Sequence, residues 1–182
     1  MFEPHGAAPY SCAVEIRPAT TRDAKSIAGI QERGWQVAYR HVFPPADLDR
    51  GGFVHASRWR ERLRRPPTGW VTFVAVHDRT IVGFVSIGPS RNVQGAGEVY
   101  AIYVDPLRWS TGAGRALAVR AEETLRAEYA EATLWVLEAN RRARAFYEAG
   151  GWTDDGSRKA EERWGVRAAE VRYRKRFTSS RS

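Results

Sequence analysis

The most regular pattern of apolar and polar positions runs from residue 98 to residue 126. Apolar residues fill positions 99–104, which predicts a strand buried on both faces, and Pro106 ends the strand because proline cannot donate a ladder hydrogen bond. Gly112 and Gly114 follow, and apolar residues then recur at i+4 spacing, as in an amphipathic helix. Those residues are Ala113, Leu117, Ala121 and Leu125. The stretch therefore predicts a strand, a glycine turn and a helix that begins at the glycines.

Similar patterns predict the other elements, in the order βααβββαβαββ. The N-terminal half begins with a strand over residues 14–17, followed by a helix that is capped by Thr20 or Thr21 and reaches Tyr39. Pro44 and Pro45 break the chain after it. A short helix over residues 54–63 and a hairpin of strands 70–76 and 81–87 follow. The C-terminal half has a strand over 132–140, a short helix over 140–151, and final strands at 152–154 and 165–177.

Length and composition fit one domain with a sizeable core. The chain has 182 residues, of which 43% are hydrophobic and 12% aromatic. We expect a single domain over residues 13–177, with flexible termini at 1–12 and 178–182. One cysteine, Cys12, excludes an intramolecular disulfide framework, and neither a signal-peptide pattern nor an apolar run of membrane-spanning length is found. A cytoplasmic protein that does not enter membranes is the expectation.

The formal net charge of +8 raises the question of nucleic-acid binding. The basic residues are 26 Arg and 3 Lys, scattered rather than striped, and the densest run, residues 58–65, fits the solvated side of an amphipathic helix. A polyanionic cofactor would also be attracted by this charge. No nucleic-acid-binding motif is found, so we expect no nucleic-acid partner and keep a basic nucleic-acid-binding protein as an alternative.

The glycine turn before the predicted helix has two interpretations. A helix start exposes unpaired backbone N–H groups and the positive end of the helix dipole, which suits a phosphate or pyrophosphate. The spacing is neither that of a P-loop nor that of a dinucleotide fingerprint, because position 117 is Leu117 rather than glycine. From these residues alone, an anion site and a plain tight turn stay equally open.

Residues 103–117 resemble the acyl-CoA motif of the GNAT superfamily of N-acyltransferases. Val104, Pro106, Gly112 and Gly114 are in register with that motif, whereas Trp109 stands where the family usually has Gln or Arg. This departure affects a contact between the side chain at position 109 and a phosphate more than it affects backbone contacts from residues 110–115.

Residues 134–152 resemble the second signature of the same family, a strand followed by NxxAxxFYExxGF. The matching residues are Asn140, Ala143, Phe146, Tyr147, Gly150 or Gly151, and Trp152. Two motifs in the correct order identify the chain as a member of the superfamily over essentially residues 14–177. The resemblance implies an α/β fold with a twisted, mostly antiparallel sheet of six to seven strands flanked by about four helices.

The resemblance also implies acetyl-CoA as the co-substrate. The residues expected to bind it are Ile102, Tyr103, Val104, Trp109, Ser110, Thr111, Gly112, Ala113, Gly114, Arg115, Asn140, Ala143, Phe146 and Tyr147. Asn140 would hold a cofactor carbonyl or only cap its helix, and Phe146 fits the core better than the cofactor. Backbone N–H groups near Ile102 and Val104 would stabilise the oxyanion of the tetrahedral intermediate.

Two catalytic residues are expected. Aminolysis of a thioester expels a thiolate, and the Tyr147 hydroxyl is the candidate proton donor to it; the alternative is a packed aromatic whose hydroxyl bonds a backbone carbonyl. Family members often carry a Glu at the position of Glu98, so the resemblance implies Glu98 as the base that removes the amine's proton through a water; the alternative is a strand-end surface residue. Cys12 is too isolated for an acyl-enzyme, so direct transfer in a ternary complex is preferred. The four histidines lack metal-ligand spacing, and no metal is expected.

The resemblance also implies that the first two helices and the loop between them wall the acceptor site, which points to Trp35, Tyr39 and residues 41–47. These rings could bind a cation, or they could be core aromatics at i and i+4 spacing. The surrounding residues resemble a subset of the family with polyamine and small-amine acetyltransferases, so the predicted partners are acetyl-CoA and a small amine or polyamine. A catalytically idle CoA-binding sensor and a homodimeric assembly remain open.

Overall fold

The computed structural model describes residues 14–52 and 54–177. The two termini predicted to be flexible, and Cys12, lie outside the described residues. The strands are β1 (Glu15–Pro18), β2 (Val71–His77), β3 (Thr80–Pro89), β4 (Gly97–Val104), β5 (Glu131–Leu137), β6 (Thr153–Arg163) and β7 (Val166–Arg176). The helices are α1 (Ala24–Ala38), α2 (Pro45–Arg50), α3 (Ala56–Arg64), α4 (Ala113–Arg126) and α5 (Arg141–Ala149).

All seven strands form one sheet in the order β1-β2-β3-β4-β5-β7-β6. Every neighbouring pair is antiparallel except β4 and β5, which are parallel and pair only from Gly97↔Ala132 to Val99↔Leu134. Beyond Val99, β4 continues beside β3 while β5 continues beside β7. The sheet therefore opens into a cleft between the C-terminal halves of β4 and β5.

The two faces of the sheet carry separate apolar clusters. Successive residues of β2 alternate between them, since Phe73 and Ala75 belong to one cluster and Val74 to the other. Helix α4 covers the first face with Leu117 and Leu125, and α1 and α3 cover the second. A third cluster joins the C-terminal end of α1 and α2 to β5 and β7; its buried members are Tyr39, Phe43, Leu48, Leu137 and Ala168.

Most of the predicted elements are confirmed, and the predicted α/β sheet is present with seven strands. The turn of the β2–β3 hairpin has positive φ at Asp78 (48°) and Arg79 (60°), the backbone of a two-residue hairpin loop. Thr20 acts as a helix cap as expected, but of a 3-10 turn (Thr21–Asp23) that leads into α1, and the Asp23 carboxylate accepts a hydrogen bond from the backbone N–H of Thr20 at 2.7 Å. No helix in the described ranges is both long and apolar enough to cross a membrane.

Three boundaries differ from the predictions. The proline pair expected only to break the chain starts α2, because Pro45 occupies the first helical position, where no N–H is needed, and Leu48 is buried. The described residues therefore contain five α-helices, against an expectation of about four. The strand expected at 152–154 extends to Arg163. Its residues are mostly polar, so the hydrophobic pattern did not predict the additional length. The strand expected to reach Asn140 ends at Leu137, and Asn140 instead caps α5.

Candidate active site

The opening between β4 and β5 leads into a cleft of about 1360 Å³. One wall consists of the turn before α4 and the first turns of α5. The opposite wall consists of the C-terminal end of α1, the loop that follows it, and side chains of β6 and β7. The cleft thus has two halves, one beside the glycine turn and one beside the β6–β7 hairpin, which meet where the strands separate.

The glycine turn exposes its backbone to the first half of the cleft. Ser110 and Gly112 have φ of 64° and 88°, so the chain turns through the left-handed region just before α4 begins. A Cβ on Gly112 would meet no atom within 4 Å, whereas one on Gly114 would contact Val104 at 3.6 Å and Phe146 at 3.7 Å. The first N–H groups of α4 have no intrahelical acceptor. The turn therefore leaves room for an anion beside unpaired N–H groups.

Trp109 packs beside this turn. Its indole Nε1 donates a hydrogen bond to the Val104 carbonyl oxygen at 2.9 Å. The guanidinium of Arg142, from α5, lies 4.1 Å from the centroid of the indole ring. Trp109 thus anchors the end of β4, and Arg142 places a positive charge at this side of the cleft.

Tyr147 lies on α5 and lines the cleft, near both Phe146, which is beside the glycine turn, and Tyr39, which is in the second half. Its ring has edge contacts with Phe146 and Trp152, at centroid distances of 5.5 Å and 6.3 Å. No described residue hydrogen-bonds its hydroxyl, so the packed-aromatic alternative, with a satisfied carbonyl partner, has no support in the geometry. Burial, and secondarily the nearby Tyr39, raise the pKa of Tyr147 above its usual value. The phenol is therefore protonated at neutral pH, as a proton donor must be.

Asn140 and Ala143 define the start of α5. The Asn140 side-chain oxygen accepts a hydrogen bond from the Ala143 N–H at 3.1 Å, which is the capping role that the sequence left open. Both residues line the cleft, and Phe146 lines it as well, with 36% of its surface exposed. The core position expected for Phe146 is therefore wrong, and its ring faces the cleft beside Gly114.

The side chain of Tyr103 is engaged away from the glycine turn. Its hydroxyl accepts a hydrogen bond from Trp35 Nε1 at 2.7 Å, and its ring stacks on Phe84 at 5.6 Å. Burial raises the pKa of Tyr103 well above its usual value, and it also raises the pKa of Tyr39. For Tyr103, the contact available to a cofactor is its backbone.

Trp35 and Tyr39 lie at the second half of the cleft and also belong to an aromatic cluster. Their rings meet edge to face at 4.8 Å, and Phe43 stacks on Trp35 at 5.8 Å. The guanidinium of Arg163 lies over the Trp35 ring, 4.7 Å from its centroid. A protein cation thus already makes the contact that was expected for the substrate's cation.

Glu98 is fully buried at the start of β4 and is not among the residues that line the cleft. Its carboxylate accepts hydrogen bonds from the Arg91 backbone N–H at 2.9 Å and from Arg91 Nε at 3.0 Å. Arg91 itself does line the cleft. The guanidinium of Arg91 therefore engages the carboxylate that was expected to act as the base.

Sequence reasoning missed the contribution of the last two strands. Lys159, Glu161 and Arg163 of β6 and Glu170 of β7 line the second half of the cleft, as does Trp135 of β5. The available signal was weak, since Lys159, Glu161 and Arg163 are charged residues at i, i+2 and i+4, one face of a strand. Among residues 14–52 and 54–177, no group of His, Cys, Asp and Glu could hold a metal ion.

Comparison with known proteins decides the family. The sequence pattern described as the Acetyltransferase (GNAT) family matches residues 32–152, well over half of the chain. The chain belongs to the GNAT acetyltransferase family. The GNAT membership implied by the two motifs is confirmed, and the protein is an N-acetyltransferase by family.

Relatives of this GNAT protein differ in how well they are understood. It is 33% identical over 141 residues to the uncharacterised N-acetyltransferase YuaI of Bacillus subtilis, which covers 75% of this chain and 78% of that protein. It is 32% identical over 155 residues to the mycothiol acetyltransferase of Thermobispora bispora, covering 81% of this chain but only 47% of that protein. This chain thus spans about half the length of the mycothiol acetyltransferase.

A solved structure supports the fold. The PaiA N-acetyltransferase of Thermoplasma acidophilum, in complex with coenzyme A, superposes with a TM-score of 0.70 at 17% identity and covers 91% of this chain and 99% of that one. The predicted GNAT fold is therefore confirmed.

Proposed function

We propose that this GNAT protein transfers an acetyl group from acetyl-CoA to the primary amine of a small acceptor, by direct attack within a ternary complex. The observation that carries the proposal is the cleft between β4 and β5. An exposed helix start lies at one end of this cleft, and we infer that the Tyr147 hydroxyl, near both Phe146 and Tyr39, lies at the junction of its two halves. A cofactor in the first half and an acceptor in the second half would meet at Tyr147.

The first half of the cleft suits the pyrophosphate of acetyl-CoA. The turn from Ser110 to Arg115 presents backbone N–H groups at the positive end of the α4 dipole. The cations that line the cleft around it are Arg108, Arg115, Arg141 and Arg142. Coenzyme A is bound in the T. acidophilum neighbour, which supports the same ligand here.

The separated part of β4 suits the thioester end of the cofactor. Residues 100–104 have no strand partner on the side of β5. Backbone groups of Ile102 to Val104 that face the cleft can therefore bond the cofactor, and an N–H there can stabilise the oxyanion that forms on attack. The Val104 carbonyl oxygen already accepts from Trp109, so the contacts proposed for this end of the strand are N–H donors.

The chemistry needs two proton movements. The neutral amine attacks the thioester carbonyl carbon, and the tetrahedral intermediate collapses with loss of the CoA thiolate, to which the Tyr147 hydroxyl donates its proton. Glu98 could accept the amine's proton only if Arg91 moved away, and we assign it instead to holding Arg91 at the cleft. Glu170 lines the cleft, and its ion pair with Lys159 joins Nζ to Oε2 at 2.8 Å, so we assign its other carboxylate oxygen, Oε1, to the amine's proton.

The test is a calorimetric titration of the protein with acetyl-CoA, followed by a free-thiol release assay over a panel of amines. Saturable binding at one site per chain, with thiol release for at least one amine, is the expected result. Binding without release for any amine would favour a CoA-binding sensor. Absence of binding, combined with salt-dependent binding of an oligonucleotide, would replace the proposal with the nucleic-acid alternative.

A further inference from the structure

We propose that the acceptor amine carries an anionic group, a carboxylate or a phosphate, and that Arg163 binds it. This inference rests on the proposed function and names the substrate class of the same cleft.

Arg163 is fixed at the second half of the cleft by the tip of the β6–β7 hairpin. It is the last residue of β6, and Trp164 and Gly165 make the turn with φ of 51° and 71°. Its guanidinium lies 4.7 Å from the ring centroid of Trp35 and 5.5 Å from that of Trp164. The two indoles, nearly perpendicular to each other at 86°, hold the guanidinium between them. No hydrogen bond joins its N–H groups to another described residue, so they remain available to a ligand.

Arg163 also differs from the other cations of this half in having no carboxylate partner. Arg91 is paired with the buried Glu98, and Lys159 is paired with Glu170 at 2.8 Å and with Glu161 at 3.2 Å. No carboxylate of the described residues lies within ion-pair distance of Arg163. An anion entering this half of the cleft would therefore find at Arg163 a cation that no described carboxylate contacts, whereas Lys159 is shared by Glu161 and Glu170.

The same charge disfavours a polyamine. A second ammonium group near Arg163 would face a like charge, and the Trp35 ring that could have bound it is already in contact with the guanidinium. A guanidinium fork matches two oxygen atoms of a carboxylate or phosphate. We therefore replace the polyamine expectation with an amine that carries an acid group.

The experiment compares matched acceptors in the thiol release assay. One series is the ω-amino acids from glycine to 6-aminohexanoate, each beside its primary amide, and a second pair is phosphoethanolamine beside ethanolamine. We expect at least one anionic acceptor to exceed its neutral counterpart in kcat/KM by about tenfold or more, because a hydrogen-bonded ion pair is lost in the counterpart. The two series distinguish carboxylate from phosphate, and chain length reports the distance from Arg163 to the reacting amine.

Arg163→Gln tests the residue, and Arg167→Gln is its control, since Arg167 belongs to the same hairpin and does not line the cleft. We expect Arg163→Gln to lower kcat/KM for the anionic acceptor by about tenfold or more relative to the neutral one, and so to remove the preference. Arg167→Gln should retain the wild-type preference. Equal use of anionic and neutral acceptors by the wild type, or an equal loss for both in Arg163→Gln, would overturn the proposal.

A binding measurement decides the matter if no acceptor on the panel releases thiol. The same pairs are titrated calorimetrically into the protein saturated with CoA, or into the free protein if CoA does not bind. Tighter binding of the anionic member, lost in Arg163→Gln, supports the inference, and equal affinities overturn it. The separate acetyl-CoA titration shows whether the proposed function itself has failed.

Discussion

The hydroxyl of Tyr147 is positioned by one helix and left without a hydrogen-bond partner among the described residues. We expect Tyr147→Phe to lower kcat by about 10²-fold, because general acid catalysis contributes on that order, while the acetyl-CoA affinity stays within about twofold. Single-turnover thiol release together with calorimetry measures both quantities. Tyr129→Phe is the matched control, since Tyr129 is a partly buried tyrosine that does not line the cleft. An unchanged kcat in Tyr147→Phe would remove this residue from the chemistry.

Residues whose role depends on local backbone were predictable from the sequence, and residues whose role depends on distant partners were not. Gly112 adopts a left-handed backbone conformation at the start of a helix. The sequence motif indicates both the glycine and the helix that follows it. Trp35 was predictable as an aromatic on α1, but its contact with Arg163 comes from the other end of the chain. Glu98 was predicted correctly to lie on β4. Its hydrogen bonds with Arg91 depend on how the loop before the strand folds, which the sequence pattern does not show.

At the scale of elements, the turn before α4 is the part of the site that a single substitution should disable. Gly112→Glu places a long carboxylate at the proposed pyrophosphate position, and we expect it to weaken acetyl-CoA binding by about 10²-fold or more through repulsion and occlusion. Calorimetric titration measures the loss. Circular dichroism of the same sample checks that the protein remains folded.

Gly95→Glu is the matched control for this change. Gly95 has φ of 76°, close to the 88° of Gly112, and a Cβ at either position would meet no atom within 4 Å. Both variants thus carry the same added charge and a similar backbone cost, but Gly95 lies in the loop before β4 and does not line the cleft. Equal affinities for acetyl-CoA in the two variants would place the cofactor elsewhere.

Strand β6 and helix α2 were predicted incompletely for the same physical reason. Strand β6 contains few apolar residues, so its hydrophobic pattern ended early even though β7 pairs with it along most of its length. Helix α2 has only six residues, and its first is Pro45, which a sequence pattern treats as a break. Tertiary pairing and a buried Leu48 stabilise these elements, and neither is visible in a short sequence window.

At the scale of the whole molecule, part of the excess positive charge lies in the cleft. The chain has a formal net charge of +8, and the basic residues that line the cleft outnumber the acidic ones, which are Glu161 and Glu170. A concave, positively charged cleft concentrates anions near the glycine turn and near Arg163. The charge that raised the question of nucleic-acid binding is therefore also what an anionic cofactor and an anionic acceptor require.

The stability of the whole chain should depend on one partly buried ion pair between the sheet edge and α1. Asp23, at the start of α1, accepts two hydrogen bonds from Arg17 of β1, at 2.8 Å and 2.9 Å. The hydrogen bonds from Arg17, and then those from Thr20, outweigh the opposing effect of burial and lower the pKa of Asp23 from 3.8 to about 2. The folded state therefore binds this proton less tightly than the unfolded state does.

The sign of the pH dependence follows from that difference. The stabilisation is complete above the unfolded pKa and disappears as the pH falls from about 4 to about 2, so Asp23→Asn should lower the free energy of unfolding by about 2 kcal/mol at pH 7. The difference from wild type should vanish near pH 2. Urea denaturation at pH 7, 4 and 2 measures both. Asp49→Asn, which breaks the exposed Arg40–Asp49 pair, should cost less than about 1 kcal/mol. If the loss in Asp23→Asn were instead the same at all three pH values, Asp23 would stabilise the fold through packing and helix capping rather than through its charge.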